Sequence, residues 1–159
     1  MSDASEISFR EAVPSDEAAL LRMMRMLAEQ EPGALVFHES LVRGALHKFL
    51  ANPELGKVWL ILEEQKPAGY VVLTLGFSFE YHGREAFIDE LYIEPEHRRK
   101  GLGRQAMQFV AERAREMGVH AIHLEVDHGN EPALELYRRD GYEDHGRYLM
   151  TKWLVKSNI

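Results

Sequence analysis

The chain has 159 residues, 45% of them apolar and 28% charged, with 19 Lys and Arg against 26 Asp and Glu and a formal net charge of −7. That size suits one domain with a core of its own, and the acidic balance argues against the broadly basic surface that general nucleic-acid binding requires. Cysteine is absent, which excludes a disulfide framework, a thiolate nucleophile and a cysteine-ligated metal.

The opening MSDASEIS lacks the basic-then-apolar build of a signal peptide, and no apolar run is long enough for a membrane span. A soluble cytoplasmic protein without a membrane partner is expected, with residues 1–6 a disordered tail and 7–159 a single domain. ISFREAV (7–13) alternates apolar and polar residues and reads as a strand. Pro14 and Ser15 then open a helix with Asp16 and Glu17 in its first turn, where acidic groups complement the dipole. Its apolar stripe is Leu20, Leu21, Met24, Leu27 and Ala28, and EPG (31–33) ends it. Val42, Ala45, Leu46 and Phe49 mark a second helix, broken by Asn52-Pro53.

The period then changes to two. KVWLILEE (57–64), AGYVVLTLGFSF (68–79) and EAFIDELYI (85–93) read as strands, with turns at Lys66-Pro67 and His82-Gly83, so an antiparallel meander is expected. A long helix spans about 101–117, with Leu102, Ala106, Phe109, Val110, Ala114 and Met117 on one face and Gly118 as a left-handed stop. HAIHLEV (120–126) is the next strand. Asn130 caps a short helix with Pro132 in its first turn and Gly141 at its end, and RYLMTKWL (147–154) is a last strand. The whole is a mixed α/β fold with about four helices and six to seven strands, antiparallel in its N-terminal part, with a parallel pair flanking the long helix as a right-handed crossover requires.

HRRKGLGRQAM (97–107) concentrates Arg98, Arg99, Lys100 and Arg104 around Gly101 and Gly103, the one dense basic patch of an acidic chain. A Walker loop needs Gly-Lys-Ser/Thr after four spacer residues, and that pattern is absent. Gly101, Gly103, Ala106 and Glu125 match a dinucleotide fingerprint, but seven polar residues separate the strand's Ile93 from Gly101 and no second set of parallel strands follows. An NAD(P)-binding module therefore ranks second. A helix N-terminus that meets an anion fits better: its unpaired N–H groups and partial positive charge attract a pyrophosphate, and glycines let the anion approach the backbone.

The segment ELYIEPEHRRKGLGRQAM resembles the cofactor-binding signature of the GNAT superfamily of N-acetyltransferases, Arg/Gln-x-x-Gly-x-Gly/Ala after a strand, at Arg98, Gly101 and Gly103. NEPALELYRRDGY (130–142) resembles the family's second motif, with Asn130, Tyr137 and Gly141 in place, and the order of elements agrees from about residue 7 to 154. The resemblance implies a GNAT-like fold and direct transfer of acetyl from acetyl-CoA, as co-substrate and with no metal, to a primary amine. By similarity the backbone around Arg98, Arg99, Lys100, Gly101, Leu102, Gly103 and Arg104 cradles the pyrophosphate. Leu91, Tyr92 and Ile93 supply the strand edge for the pantetheine arm, which Asn130 also contacts, unless Asn130 is a helix cap alone. Tyr137 is expected to protonate the departing thiolate.

FIDELYI with NEPALELY most resembles the diamine (spermidine/spermine-type) branch, in which an acid at the place of Asp89 is the base, although Glu is usual there. Asp89 and Glu90 are both candidates, and since side chains alternate along a strand they face opposite sides unless a bulge intervenes. The acceptor expected is a small cationic amine such as a polyamine. A protein N-terminus or lysine remains an alternative, as does a non-catalytic acyl-CoA sensor, and a homodimer is compatible with the family and with the apolar last strand. The histidines, among them His38, His47, His120, His123, His128 and His145, show no metal-ligand spacing. RMMRML (22–27) reads as core packing, and Phe37 and His38 lie in a segment that often lines the acceptor site in this family.

Overall fold

A computed structural model describes residues 5–31, 33 and 36–155. The chain forms two compact units, one running to Leu124 and the other beginning at Glu125. The disorder expected of residues 1–6 falls mostly on 1–4, outside the described residues, while Ser5 and Glu6 precede the first strand.

In the first unit β1 (Ile7–Glu11) leads through a 3-10 turn at Pro14–Asp16 into α1 (Glu17–Gln30) and α2 (Glu39–Leu50). The entry is fastened by Asp16, whose carboxylate accepts from Val13 N at 2.8 Å and from Nη1 and Nη2 of Arg10, each at 2.9 Å. Next come β2 (Gly56–Glu63), β3 (Lys66–Ser78), β4 (Gly83–Ile93), α3 (Leu102–Glu116) and β5 (Val119–His123). The sheet runs β1-β2-β3-β4-β5, antiparallel except for the parallel β4/β5 pair that α3 connects.

Helices cover both faces of this sheet, which is why β2 is apolar at nearly every position rather than alternating. Val58, Leu60, Leu62, Tyr70, Val72 and Tyr92 pack with Leu20, Leu21, Met23, Met24 and Leu46 of α1 and α2. On the other face Ile61 and Ala68 pack with Leu102 and Ala106 of α3. Each fully buried leucine or isoleucine contributes about 1.5–3 kcal/mol. Phe109 of α3 adds an aromatic contact, stacked on Phe9 at 4.4 Å between centroids and edge-on to Trp59 at 5.6 Å.

Four expectations need correction. The helical stripe of α1 includes Met23, fully buried, while Leu27 and Ala28 are only half-buried, and Ala45 of α2 is exposed. The β2–β3 turn is made by Glu64 (φ 49°) and Gln65 (φ 65°), the left-handed pair of a two-residue hairpin, rather than by Lys66-Pro67. Lys66 already pairs with Glu63, and Pro67, which has no N–H to give, lies where the register slips by one residue. At that slip Gly69 passes so close to β4 that a Cβ would sit 2.2 Å from Tyr92 O. β5 ends at His123, short of 126.

The last correction is the strand expected over 147–154, which is absent, so the described sheet has five strands rather than six to seven. Tyr148, Leu149 and Met150 are consecutive and all exposed, so the segment has no apolar face set against a polar one. The second unit offers it no ladder partner, because its regular structure is α4 (Glu131–Arg139) alone. Asn130 caps α4, its side chain accepting from Ala133 N at 3.3 Å, a bond of a kind that contributes about 1 kcal/mol. Gly141 (φ 93°) ends the helix, with Tyr142 N returning to Tyr137 O at 2.9 Å. No helix among the described residues is long and apolar enough to cross a membrane.

Candidate active site

The parallel pair does not run its full length. β4 pairs with β5 only from Arg84 to Phe87, whereas on its other side it follows β3 as far as Ile93. Glu94 N donates to Ala68 O at 2.8 Å, toward β3. By the strand's period of two, Leu91 and Ile93 therefore turn their amides to the open edge. Ile93 O accepts from Arg98 Nε at 2.8 Å, which leaves the Ile93 N–H and the amide groups of Leu91 to meet an added extended chain. Tyr92, expected beside them, is 2% exposed and belongs to the core beneath α1.

The N-terminus of α3 begins at Gly101, in the left-handed region at φ 78°, with no side chain capping the helix. The first intrahelical acceptance is Gln105 N to Gly101 O at 3.1 Å, so the amides of Leu102, Gly103 and Arg104 have no acceptor within the helix. A Cβ at Gly101 or at Gly103 would meet no atom within 4 Å, and Leu102 plugs the turn into the core at 2% exposure. The bare amides, the open space over both glycines and the nearby charges fit a pyrophosphate.

The basic side chains divide. Arg98 is spoken for, holding Ile93 O and Gln30 Oε1 (both 2.8 Å) and lying over the Tyr92 ring at 5.7 Å. Lys100 Nζ lies 3.2 Å from Glu63 Oε1. Arg99 (φ 64°) and Arg104 have no hydrogen-bond or ion-pair partner among the described residues, so they carry the charge available to an anion. A side chain at Gly103 would begin in open space, its Cβ clear of the core. Gly103→Leu is expected to raise the KM for acetyl-CoA at least about tenfold while the melting temperature holds or rises, since glycine is the poorer helix former by about 1 kcal/mol. Initial rates and a melting curve check both halves.

On the α1/α2 face lies a second polar group. Between Val72 and Leu73 the β3/β4 register slips, Val72 facing Glu90 and Leu73 facing Ile88, so Asp89 is the extra residue of a bulge. The bulge is what breaks the alternation of the two acids. Glu90 is half-buried and accepts from Tyr70 Oη at 3.2 Å, while Asp89 is exposed as a residue. Burial first, then the negative charge of Asp89, push the Glu90 carboxyl up to about 7; Glu31 pushes the same way and the Tyr70 hydroxyl opposes them. Asp89 is itself raised by burial of its carboxyl. Tyr70, fully buried, is raised by burial and by Glu90, so it stays a neutral donor. Because its hydrogen bond favours the charged carboxylate, Tyr70→Phe should raise the Glu90 pKa further and move the acid limb of a pH–rate profile upward. An unmoved limb would remove Glu90 from the titration.

Tyr70, Glu63 and Glu94 were not singled out by the sequence. A tyrosine in an apolar strand has the pattern of a core residue, and the acids stand at strand ends where charge is ordinary. Glu94 is 6% exposed, binding Arg22 Nη1 of α1 at 2.5 Å and the Tyr92 hydroxyl at 3.2 Å. Four of the eight histidines hold partners: His47 pairs with Glu17, His97 with Glu63, His123 with Glu85 (3.0 Å), and His120 Nδ1 lies 2.9 Å from Tyr81 O. Among the described residues no three His, Asp or Glu gather as metal ligands. In the second unit Tyr137 is half-buried, with its ring 6.0 Å from that of Tyr142, and burial raises its hydroxyl pKa.

A parallel strand pair opening beside the bare N-terminus of its own crossover helix is the framework of a protein that receives an extended, anionic cofactor. The chain belongs to the acetyltransferase (GNAT) family, whose sequence model matches residues 20–142; it is an acetyltransferase, and the family uses acetyl-CoA. It is similar to the thialysine N-epsilon-acetyltransferase of Bos taurus, 28% identical over 151 residues that cover 87% of this chain and 85% of that one. Among solved structures, an integron cassette protein from the mobile metagenome of Cole Harbour Salt Marsh is 34% identical with a TM-score of 0.81, covering 94% and 91% of the two chains. A predicted acetyltransferase from Clostridium acetobutylicum, crystallised with acetyl-CoA, shares the fold at 21% identity and a TM-score of 0.74, over 92% and 96%.

Proposed function

We propose that this protein transfers the acetyl group of acetyl-CoA directly to a primary amine of a small cationic molecule, with Glu90 as the base and Tyr137 as the acid. The observation that carries the reading is the Glu90–Tyr70 pair, a carboxyl poised near 7 on the acceptor face beside the open edge of β4. An amine is mostly protonated at neutral pH, and a base of pKa near 7 is well matched to taking its proton. Glu90 removes that proton, the amine nitrogen forms its bond to the thioester carbonyl carbon, and the carbon–sulfur bond breaks as Tyr137 delivers a proton to sulfur; the nitrogen sheds its surplus proton to solvent, from which the Tyr137 phenolate is reprotonated. The amides of Leu91 and Ile93 hold the extended arm, and those of Leu102, Gly103 and Arg104, with Arg99 and Arg104, hold the pyrophosphate.

The choice of Glu90 over Asp89 rests on its deeper burial and on the hydrogen bond from Tyr70, whereas Asp89 is exposed as a residue and its carboxyl is raised by burial alone. The negative charges of Asp89 and Glu31 act on Glu90, and such a concentration of carboxylates favours a substrate carrying more than one positive charge. The thialysine N-epsilon-acetyltransferase relatives, named for an amine at the end of a short chain, support the same class, as does the diamine-like FIDELYI motif.

The test is thiol release from acetyl-CoA against diamines and polyamines, thialysine and lysine, aminoglycosides, and peptides with free N-termini. Release with the di- and polyamines or thialysine is expected. Release with peptides alone would replace the small-amine reading by a protein acceptor, and acetyl-CoA binding without release on any amine would mark a sensor.

A further inference from the structure

We propose that Glu63, at the end of β2, is a positioning residue for acetyl-CoA: it holds the loop between β4 and α3 in its anion-receiving form by gripping His97 and Lys100. The proposal rests on reading 97–104 as the pyrophosphate segment.

Glu63 is one of the few buried charged residues of the described chain, at 6% exposure. It is also 34 and 37 residues away in sequence from the two groups it binds. Its Oε2 meets His97 Nδ1, and both carboxylate oxygens meet Lys100 Nζ, at 3.2 and 3.4 Å. These bonds, with His97 first, hold the carboxyl below the usual range, so it is charged at neutral pH. Burying an acid is costly unless it is paired; here its two nitrogen partners come from one loop, and Ser5, ahead of β1, adds a further hydrogen bond. The same loop has other fastenings at its start: Glu94 to Arg22, and Arg98 to Gln30 of α1. Between Arg98 and Gly101, where Arg99 takes left-handed backbone (φ 64°), the tie among the described residues is that of Lys100 to Glu63, with His97 held by the same carboxylate just before Arg98. At a residue other than glycine that conformation persists where surrounding contacts impose it.

The consequence has a sign opposite to simple electrostatics. Glu63 is a negative charge close to a site for an anion, so by Coulomb's law alone its removal should tighten cofactor binding. If instead Glu63 sets the loop, its removal frees Lys100 and lets the kinked segment relax, so the amides at the start of α3 lose their alignment. Binding then weakens although the site has become more positive.

The experiment compares wild type with Glu63→Gln, Lys100→Met and the double variant, measuring the Kd of CoA by calorimetry and the KM values and kcat by thiol release. The wild-type titration tests the cofactor segment itself: failure of CoA to bind there would sink that reading rather than the role of Glu63. With wild-type binding established, Glu63→Gln is expected to weaken CoA and raise the acetyl-CoA KM about tenfold, the scale set by misplacing binding groups. kcat at saturation and the amine KM should hold, and the double variant should be no worse than the single ones. Unchanged or tighter CoA binding in Glu63→Gln would overturn the proposal, as would losses from Glu63→Gln and Lys100→Met that multiply, since Lys100 would then be contacting the phosphates on its own account. Should Glu63→Gln fail to fold, His97→Ala decides: it leaves Glu63 charged and paired with Lys100, and the proposal requires it to weaken CoA as well.

Discussion

Glu90→Gln is expected to lower kcat by about 10²- to 10⁴-fold at pH 8, the range for loss of a general base, and to abolish the acid limb near pH 7. The wild-type limb follows from the raised pKa: below about 7 Glu90 holds its proton and cannot take another, and above it the carboxylate is free to act. The variant should be no less stable. A carboxyl whose pKa is raised on folding weakens the fold as pH climbs from its ordinary 4.5 toward 7 and beyond. A neutral amide therefore removes a penalty at pH 8, and the melting temperature should hold or rise there. Asp89→Asn supplies the contrast. Losing the neighbouring negative charge lowers the Glu90 pKa, so the limb should move to lower pH with activity largely retained. Were Asp89→Asn the inactive variant and Glu90→Gln the active one, the exposed acid of the bulge would be the base.

Tyr137→Phe should reduce kcat about 100-fold, at the lower end for loss of a positioned acid, with the KM for acetyl-CoA unchanged. Phenylalanine keeps the ring and its packing beside Tyr142, and the Asn130 cap and Gly141 stop of α4 do not involve the hydroxyl, so melting temperature should barely move. Burial raises the Tyr137 hydroxyl above its ordinary value, and a phenol with a raised pKa keeps its proton throughout the neutral range. The wild-type profile should then show no basic limb from this group below pH 9. Full activity in the variant would mean that the thiolate leaves without this acid.

How far the molecule was legible depended on the reach of each cause. The helix starts and stops, the meander and the crossover were readable because Asn130, Pro132, Gly118 and the change of period from 3.6 to two act over a few residues. The candidate cofactor segment was readable for the same reason: its amides and glycines lie within ELYIEPEHRRKGLGRQAM, and an uncapped helix N-terminus is a local device. The last strand was misread because a strand needs a partner, and apolar residues in a row do not say whether one exists.

The acceptor side was decided by tertiary structure. That Asp89 is the extra residue of a bulge depends on how β4 lies against β3, and no local pattern in FIDELYI marks it. Tyr70 and Glu90 stand 20 residues apart, and only antiparallel pairing brings the hydroxyl to the carboxylate. Likewise the sequence presents Arg98, Arg99, Lys100 and Arg104 as equal charges, whereas the fold sets Arg98 on Ile93 O and Gln30 and Lys100 on Glu63, leaving Arg99 and Arg104 for the anion. Sequence alone determined the class of fold and the bare, glycine-flanked start of α3, through short-range propensity and backbone chemistry. Which acid is raised and which cations are neutralised was settled by packing, because pKa and pairing depend on burial and on neighbours distant in the chain.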